Sequence, residues 1–226
     1  MFEYLIMTLS PVILSLLVLI YNNFDDIRSK KGLKPKFTEL LRFKKNKLLL
    51  IPLTLFGIGI MFLSHMYFKD SLEISLKMLY VYELLICVAY VDYIKGIIPN
   101  KLIIFAFFSY FVFFAFEAIV KNAFISVLLI RAGLGLILGG GVFGLCSLLT
   151  KGSMGMGDVK LFSVLGILLG FQAVFNVIFF SVLLVALYGI FAMIFKKKDK
   201  KTTVPLGPFA LAGMMVSIVL GIGGML

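Results

Sequence analysis

Eight stretches of almost unbroken apolar residues divide this 226-residue chain: Leu5–Ile20, Leu48–His65, Leu72–Val91, Leu102–Val120, Ala123–Leu149, Val159–Phe171, Ala173–Phe195 and Val204–Leu226. A helix needs about 20 such residues to cross a hydrocarbon core of roughly 30 Å, and helices satisfy every backbone group within themselves. The pattern therefore predicts an all-α polytopic membrane protein of about eight transmembrane helices. The polar connections are too short to fold independently, the longest running from Tyr21 to Lys47, so residues 1–226 are expected to form one membrane-embedded domain.

Composition agrees with the pattern, since 62% of residues are hydrophobic and the mean hydropathy is +1.11, which excludes an ordinary soluble domain. The net charge of +11 would point to nucleic acid in a soluble protein, but its distribution along the chain points to topology instead. Arg28, Lys30, Lys31, Lys34, Lys36, Arg42, Lys44, Lys45 and Lys47 crowd the first long loop, and Lys196, Lys197, Lys198, Lys200 and Lys201 form a second cluster. Alternating the eight spans puts eighteen basic residues on one side and four (Lys69, Lys77, Lys121, Arg131) on the other. The basic side is expected to be cytoplasmic, with both termini outside and the basic loop at about 21–47 inside. Anionic lipid of the cytoplasmic leaflet is the expected partner of the two clusters, and no nucleic acid is expected. Glu3 ahead of the first span, and the basic residues behind it, predict a retained anchor rather than a cleaved leader.

The candidate chemistry is sparse. Cys87 and Cys146 both fall within apolar segments and have no metal-ligand spacing, so they are read as buried small side chains. His65, the only histidine, sits at the outer end of the second span. Catalysis by a Ser-His-Asp or Cys-His constellation at the cytoplasmic face therefore lacks its base, and no metal site is expected. What remains is a pair of carboxylates at span boundaries, Asp92 and Asp158, each costing roughly 2.5–3.5 kcal/mol to insert. The alternation of spans places both on the cytoplasmic side.

Asp158 follows Gly155-Met156-Gly157 and precedes Val159-Lys160. From Asp158 to Ala173 there is only enough chain for about 22 Å of helix, short of the roughly 30 Å core, so the loop at 150–157 is expected to be partly re-entrant. In isolation the pattern is also a flexible turn with an aspartate favouring a helix N-terminus. Asp92 precedes Lys95-Gly96-Ile97-Ile98-Pro99-Asn100, in which Pro99 and Asn100 fit a helix start, and an ion pair with Lys95 or Lys101 is its bland role. Four-residue spacing of Gly135 with Gly139 and of Gly140 with Gly144 predicts close helix packing. Arg131 is expected to snorkel outward or to pair with Glu117 or another helix, and Glu83, mid-span, to make a structural polar contact, with contact to substrate as the alternative.

Taken together, these segments resemble the GxGD-type intramembrane aspartic proteases, and among them the type 4 prepilin peptidases. Gly155-Met156-Gly157-Asp158-Val159-Lys160 is similar to the family signature. Asp92, six residues before Ile98-Pro99-Asn100, resembles its first catalytic aspartate. Val204-Pro205-Leu206-Gly207-Pro208-Phe209 resembles the Pro-x-Gly-Pro segment that opens the last helix. The likeness runs from about Tyr82 to the C-terminus.

The resemblance implies a peptidase domain in the plasma membrane with Asp92 and Asp158 catalytic. Gly155, Met156, Gly157, Lys160, Pro99, Asn100, Pro205, Gly207 and Pro208 would support the site or the substrate. It implies cleavage of the short basic leader from prepilins or pilin-like precursors by water. Two adjacent carboxyls share a proton and titrate in coupled steps. The loop at 21–47 departs from the zinc-binding, cysteine-rich loop of bifunctional members, because it contains no cysteine. Zinc is not supported, and S-adenosylmethionine enters only if methyltransferase activity is retained. The alternatives are a small proton- or ion-coupled transporter, which also uses intramembrane carboxylates and broken helices, and a non-catalytic pilus-assembly scaffold.

Overall fold

In the computed structural model the described residues are 55, 59, 72–120, 124–149, 155–195 and 204–220. The expected span Leu5–Ile20, the basic loop at 21–47, the cluster at 196–201, the loop residues 150–154 and, apart from positions 55 and 59, the expected span Leu48–His65 lie outside them. Among the described residues there is no strand, and five helical elements follow one another: α1 (Leu72–Lys95), α2 (Asn100–Val120), α3 (Ile125–Leu149), α4 (Met156–Phe195) and α5 (Gly207–Val219).

Three of these, α2, α3 and α4, are long and apolar enough to cross a membrane. α1 carries Glu73, Lys77, Glu83, Asp92 and Lys95 within 24 residues, which lowers its apolarity, yet it is the most enclosed element. Val81, Leu85, Val88 and even Glu83 are inaccessible. Over most of its length α1 is a core helix, and Lys77, Glu83 and Asp92 are internal rather than lipid-facing. α2 is its opposite: Phe108, Val112, Phe116 and Ile119 are exposed, the face expected against hydrocarbon chains.

α1 and α2 form an antiparallel hairpin. Lys77 pairs with Glu117, and the Tyr80 and Phe113 rings meet at 5.4 Å, one turn further along both helices. Gly96, at φ 64, ends α1 by donating its N–H to the Asp92 carbonyl at 2.8 Å, a left-handed cap that only glycine adopts without strain. The Pro99 carbonyl then accepts from the N–H groups of Leu102 and Ile103, starting α2.

α3 lies antiparallel to the first limb of α4 at backbone contact. Gly135 abuts Gly166, Gly139 abuts the Phe162 backbone, and Gly144 faces Val159. The close-packing reading of Gly135 and Gly139 thus holds. Phe143 stacks on Phe162 with centroids 4.1 Å apart. Lipid tails are as apolar as leucine, so such backbone proximity and dispersion hold membrane helices together.

α4 is not one straight rod. Gly170, at φ 78 and ψ 179, leaves helical geometry within it. Residues 158 and 188 would stand about 45 Å apart in a continuous helix. Instead, Asp158 interacts with Asp92, Asp92 is bonded to Gly207, and Phe209 meets Tyr188 at 5.4 Å. Both limbs therefore return to the same end, and the chain reverses at Gly170. The expected break between Phe171 and Ala173 is present but begins earlier. Its first limb, residues 156–169, is about 21 Å long, short of the hydrocarbon thickness. The second limb packs antiparallel to α5, with Gly213 against Ser181 and Val177.

Candidate active site

Asp92 lies one turn before the end of α1 and is 6% exposed. Its position follows from the Gly96 cap, which ends the helix four residues later and uses the Asp92 carbonyl as acceptor. Asp158 lies in the first turn of α4, where its N–H donates to the Gly155 carbonyl at 3.0 Å and its side chain is half-buried. Asp92 and Asp158 interact coulombically, although 66 residues separate them in sequence. The α1–α2 hairpin and the reversal of α4 bring the two to one end of the bundle.

α5 supplies the third wall. Leu206 precedes the helix without a side-chain cap, and Pro208 follows in its first turn, where a missing N–H costs nothing. The first backbone donor, Gly207 N–H, is directed to Asp92 Oδ2 at 2.7 Å. A side chain at Gly207 would approach Asp92 Oδ2 to 2.9 Å and the Ala89 Cα to 3.1 Å. Glycine therefore lets the helix start approach the carboxylate. Pro205 stands half-buried ahead of this turn.

The remaining expected residues converge on the same end. Gly157 packs against Ile98, where an added Cβ would lie 3.1 Å from the Ile98 Cβ. Lys160 Nζ donates to Asn100 Oδ1 at 3.1 Å, joining the starts of α4 and α2 in an exposed contact. Pro99 acts through its carbonyl at the α2 start, as its helix-start reading has it. Met156 is exposed, with its sulfur 3.8 Å from Ser147 Oγ of α3. Gly155 lies against Asp158, since an added Cβ would come within 3.1 Å of Oδ2.

Two further expectations change, and one is narrowed. Glu117 pairs with Lys77 at 2.7 Å, so of the alternatives for Arg131 the pairing with Glu117 is not the one found. Glu83 is fully buried, and neither carboxyl oxygen has a hydrogen-bond partner among the described residues, so the expected structural polar contact is not found. Nine helical residues separate it from Asp92, half a turn in phase, so the two face opposite sides of α1. Cys146 is exposed rather than buried, whereas Cys87 is buried as expected. Ile98 and Gly170 are the contributors that spacing did not isolate; Gly170-Phe171-Gln172 interrupts the apolar run and carried the only signal for the reversal. Among the described residues no group of three or more His, Cys, Asp or Glu side chains is placed to hold a metal.

Two carboxyls in a partly enclosed notch, one clamped by a backbone N–H, can divide acid and base roles around a water molecule. Residues 78–190 match the model of the type IV leader peptidase family. The chain is 32% identical over 160 residues to a prepilin leader peptidase/N-methyltransferase of Bacillus subtilis (strain 168), an alignment covering 68% of this chain and 59% of that protein. It thus spans somewhat over half the length of that relative. No solved structure matches. The match across α1 to α4, the helices that carry both aspartates, means that the chain belongs to the type IV leader peptidase family.

Proposed function

We propose that this protein is an intramembrane aspartic endopeptidase that removes the short basic leader from type 4 prepilins or pilin-like precursors at the cytoplasmic membrane face. The observation that carries the proposal is the convergence of Asp92 and Asp158 beside the N-terminus of α5. The substrate's own apolar helix would lie among the lipid-facing helices and bring its cytoplasmic end to the two carboxyls. The ionised aspartate takes a proton from water as the water attacks the scissile carbonyl, and the protonated aspartate donates to the carbonyl oxygen. Collapse of the tetrahedral species returns a proton to the leaving amine, and no covalent enzyme intermediate forms. Gly155, exposed ahead of Asp158, offers its backbone to an extended substrate segment, and the Lys160–Asn100 contact ties the start of α4 to that of α2 beside it.

The proposal is confined to cleavage and needs no metal or cofactor. A transporter would need a polar path away from the carboxyls, but the first limb of α4 below Asp158 buries Leu161, Phe162, Leu165, Leu168 and Leu169. Co-expression with candidate pilin precursors tests the reading. Wild type is expected to shorten the precursor, and Asp92→Asn and Asp158→Asn each to leave it full-length. Trimming at the wild-type rate by either variant refutes the pairing. Mass spectrometry of the mature N-terminus decides methylation separately.

A further inference from the structure

Asp158 takes its position from the first turn of α4, whose residues leave in different directions because successive side chains on a helix turn by about 100°. Met156 leads to α3, with its sulfur 3.8 Å from Ser147 Oγ, and Val159 returns to the same helix, 3.9 Å from where a Gly144 Cβ would stand. Asp158 interacts with Asp92 of α1. Gly157 faces neither helix. The three atoms nearest to a Cβ built on it all belong to Ile98, whose Cβ lies at 3.1 Å, Cγ1 at 3.4 Å and Cδ1 at 3.7 Å. The turn is thus held by α3 on one flank and by Ile98 on another, and the aspartate occupies the remaining side.

Ile98 is a stiff group, for reasons that lie in its neighbours. Gly96, whose N–H caps α1 on the Asp92 carbonyl at 2.8 Å, fixes where the chain leaves that helix, and the Pro99 carbonyl starts α2 by accepting from Leu102 N–H at 3.1 Å. Residues 97–99 between these ends are not helical. A residue before proline is disfavoured in helical backbone, so Pro99 confines Ile98 to extended geometry. Branching at Cβ restricts its χ1 as well. Whereas Ile97 is 61% exposed, Ile98 is half-buried and packs against the hydrophobic core.

Because Gly157 has no side chain, Ile98 bears on main chain, and the next residue along that main chain is Asp158. No flexible side chain intervenes to absorb a displacement. One short turn therefore closes the helix that carries Asp92 and abuts the residue that precedes Asp158. We propose that Ile98 is a positioning residue, a strut that sets Asp158 against Asp92 through the Gly157 backbone and so governs the rate of the chemical step rather than the affinity for substrate.

The inference rests on the aspartic endopeptidase reading, and the test keeps the two apart. It uses the purified full-length protein in nanodiscs and a pilin precursor that wild type trims and that Asp92→Asn and Asp158→Asn leave intact. Failure of that first comparison overturns the reading and the inference with it; once it holds, the Ile98 variants bear on the strut alone. Ile98→Val keeps the branch and loses a methyl group, whereas Ile98→Leu keeps the volume and loses the branch. A strut ranks them by branching, with kcat within about threefold of wild type for Ile98→Val and about tenfold or more below it for Ile98→Leu, and KM within about twofold in both. Mere filling of space gives the opposite order, since volume-conserving apolar exchanges are tolerated best. Gly157→Ala inserts a Cβ at the 3.1 Å contact and is expected to lower kcat by at least about tenfold. Adding Ile98→Ala, which takes away Cγ1 and Cδ1, is expected to restore kcat by at least about threefold relative to Gly157→Ala. The inference is overturned if Ile98→Leu matches or exceeds Ile98→Val, if KM moves in place of kcat, or if the folded double variant is no faster than Gly157→Ala.

Discussion

Asp92, near the end of α1, accepts a 2.7 Å hydrogen bond from the backbone N–H of Gly207, 115 residues later at the start of α5. One carboxyl oxygen is thereby held by a donor that no side-chain substitution can remove directly. What substitution can change is the approach. A methyl group at position 207 would stand 2.9 Å from Oδ2 and 3.0 Å from Cβ of Asp92, and 3.1 Å from the Ala89 Cα one turn earlier on α1. Gly207→Ala must therefore shift α5 or rotate Asp92. Since misplacement of a reacting group by about 1 Å can cost on the order of 100-fold, we expect precursor trimming to fall by at least about tenfold while the protein remains folded. Initial rates of leader removal, with size-exclusion elution as the control for folding, check this.

The Lys160–Asn100 contact makes the contrasting case. Both residues are exposed, and an exposed hydrogen bond of 3.1 Å contributes about 0.5–1.5 kcal/mol at most. Lys160→Met and Asn100→Ala are expected to slow trimming by no more than about tenfold. Asp158→Asn, two residues away, is expected to abolish it. A complete loss of trimming in Lys160→Met would move that ammonium from a tether between helix starts into the chemistry itself.

The two aspartates were legible in sequence because carboxylates are costly at span boundaries, and the charge asymmetry of the loops put both on one side. The motif resemblance is what singled out Gly157, Asn100, Lys160 and Gly207, which lie at the same end of the bundle as the two aspartates. It did not supply their partners. That Gly207 donates to Asp92, or that Lys77 rather than Arg131 takes Glu117, depends on the register of helices joined 40 or more residues apart along the chain. Apolar periodicity is silent on register when every face of a segment is apolar, as in α2 and α4. Gly170 illustrates the same limit: glycine, phenylalanine and glutamine interrupt the run, but only the return of Tyr188 to Phe209 reveals a reversal.

At Gly170 the requirement is conformational rather than steric. Its φ of 78 and ψ of 179 fall in a region populated almost only by glycine, whereas an added Cβ would meet Arg131 Nε and the Arg131 carbonyl at an ordinary 3.9 Å. Gly170→Ala is expected to destabilise the protein by about 1–3 kcal/mol through backbone strain. The expected signature is a lowered thermal midpoint in detergent, with trimming retained below it. An unchanged midpoint would mean that the two limbs of α4 tolerate another turn geometry.

The Lys77–Glu117 pair allows a test of how charge is carried inside this bundle. Each side chain is about nine-tenths enclosed, so removing one partner leaves the other as an uncompensated buried charge. Lys77→Met alone is expected to cost about 3–5 kcal/mol, as is Glu117→Leu alone. The double variant removes both charges while keeping apolar bulk, and isosteric apolar replacement of such pairs is often neutral or stabilising. It should therefore recover most of the loss. A double-mutant cycle of unfolding midpoints, measured in one detergent and one lipid composition, separates the outcomes. Additive losses would mean that water or lipid already screens both groups, and strong recovery would mean that the α1–α2 hairpin is held in register by an ion pair that the surrounding helices keep dry.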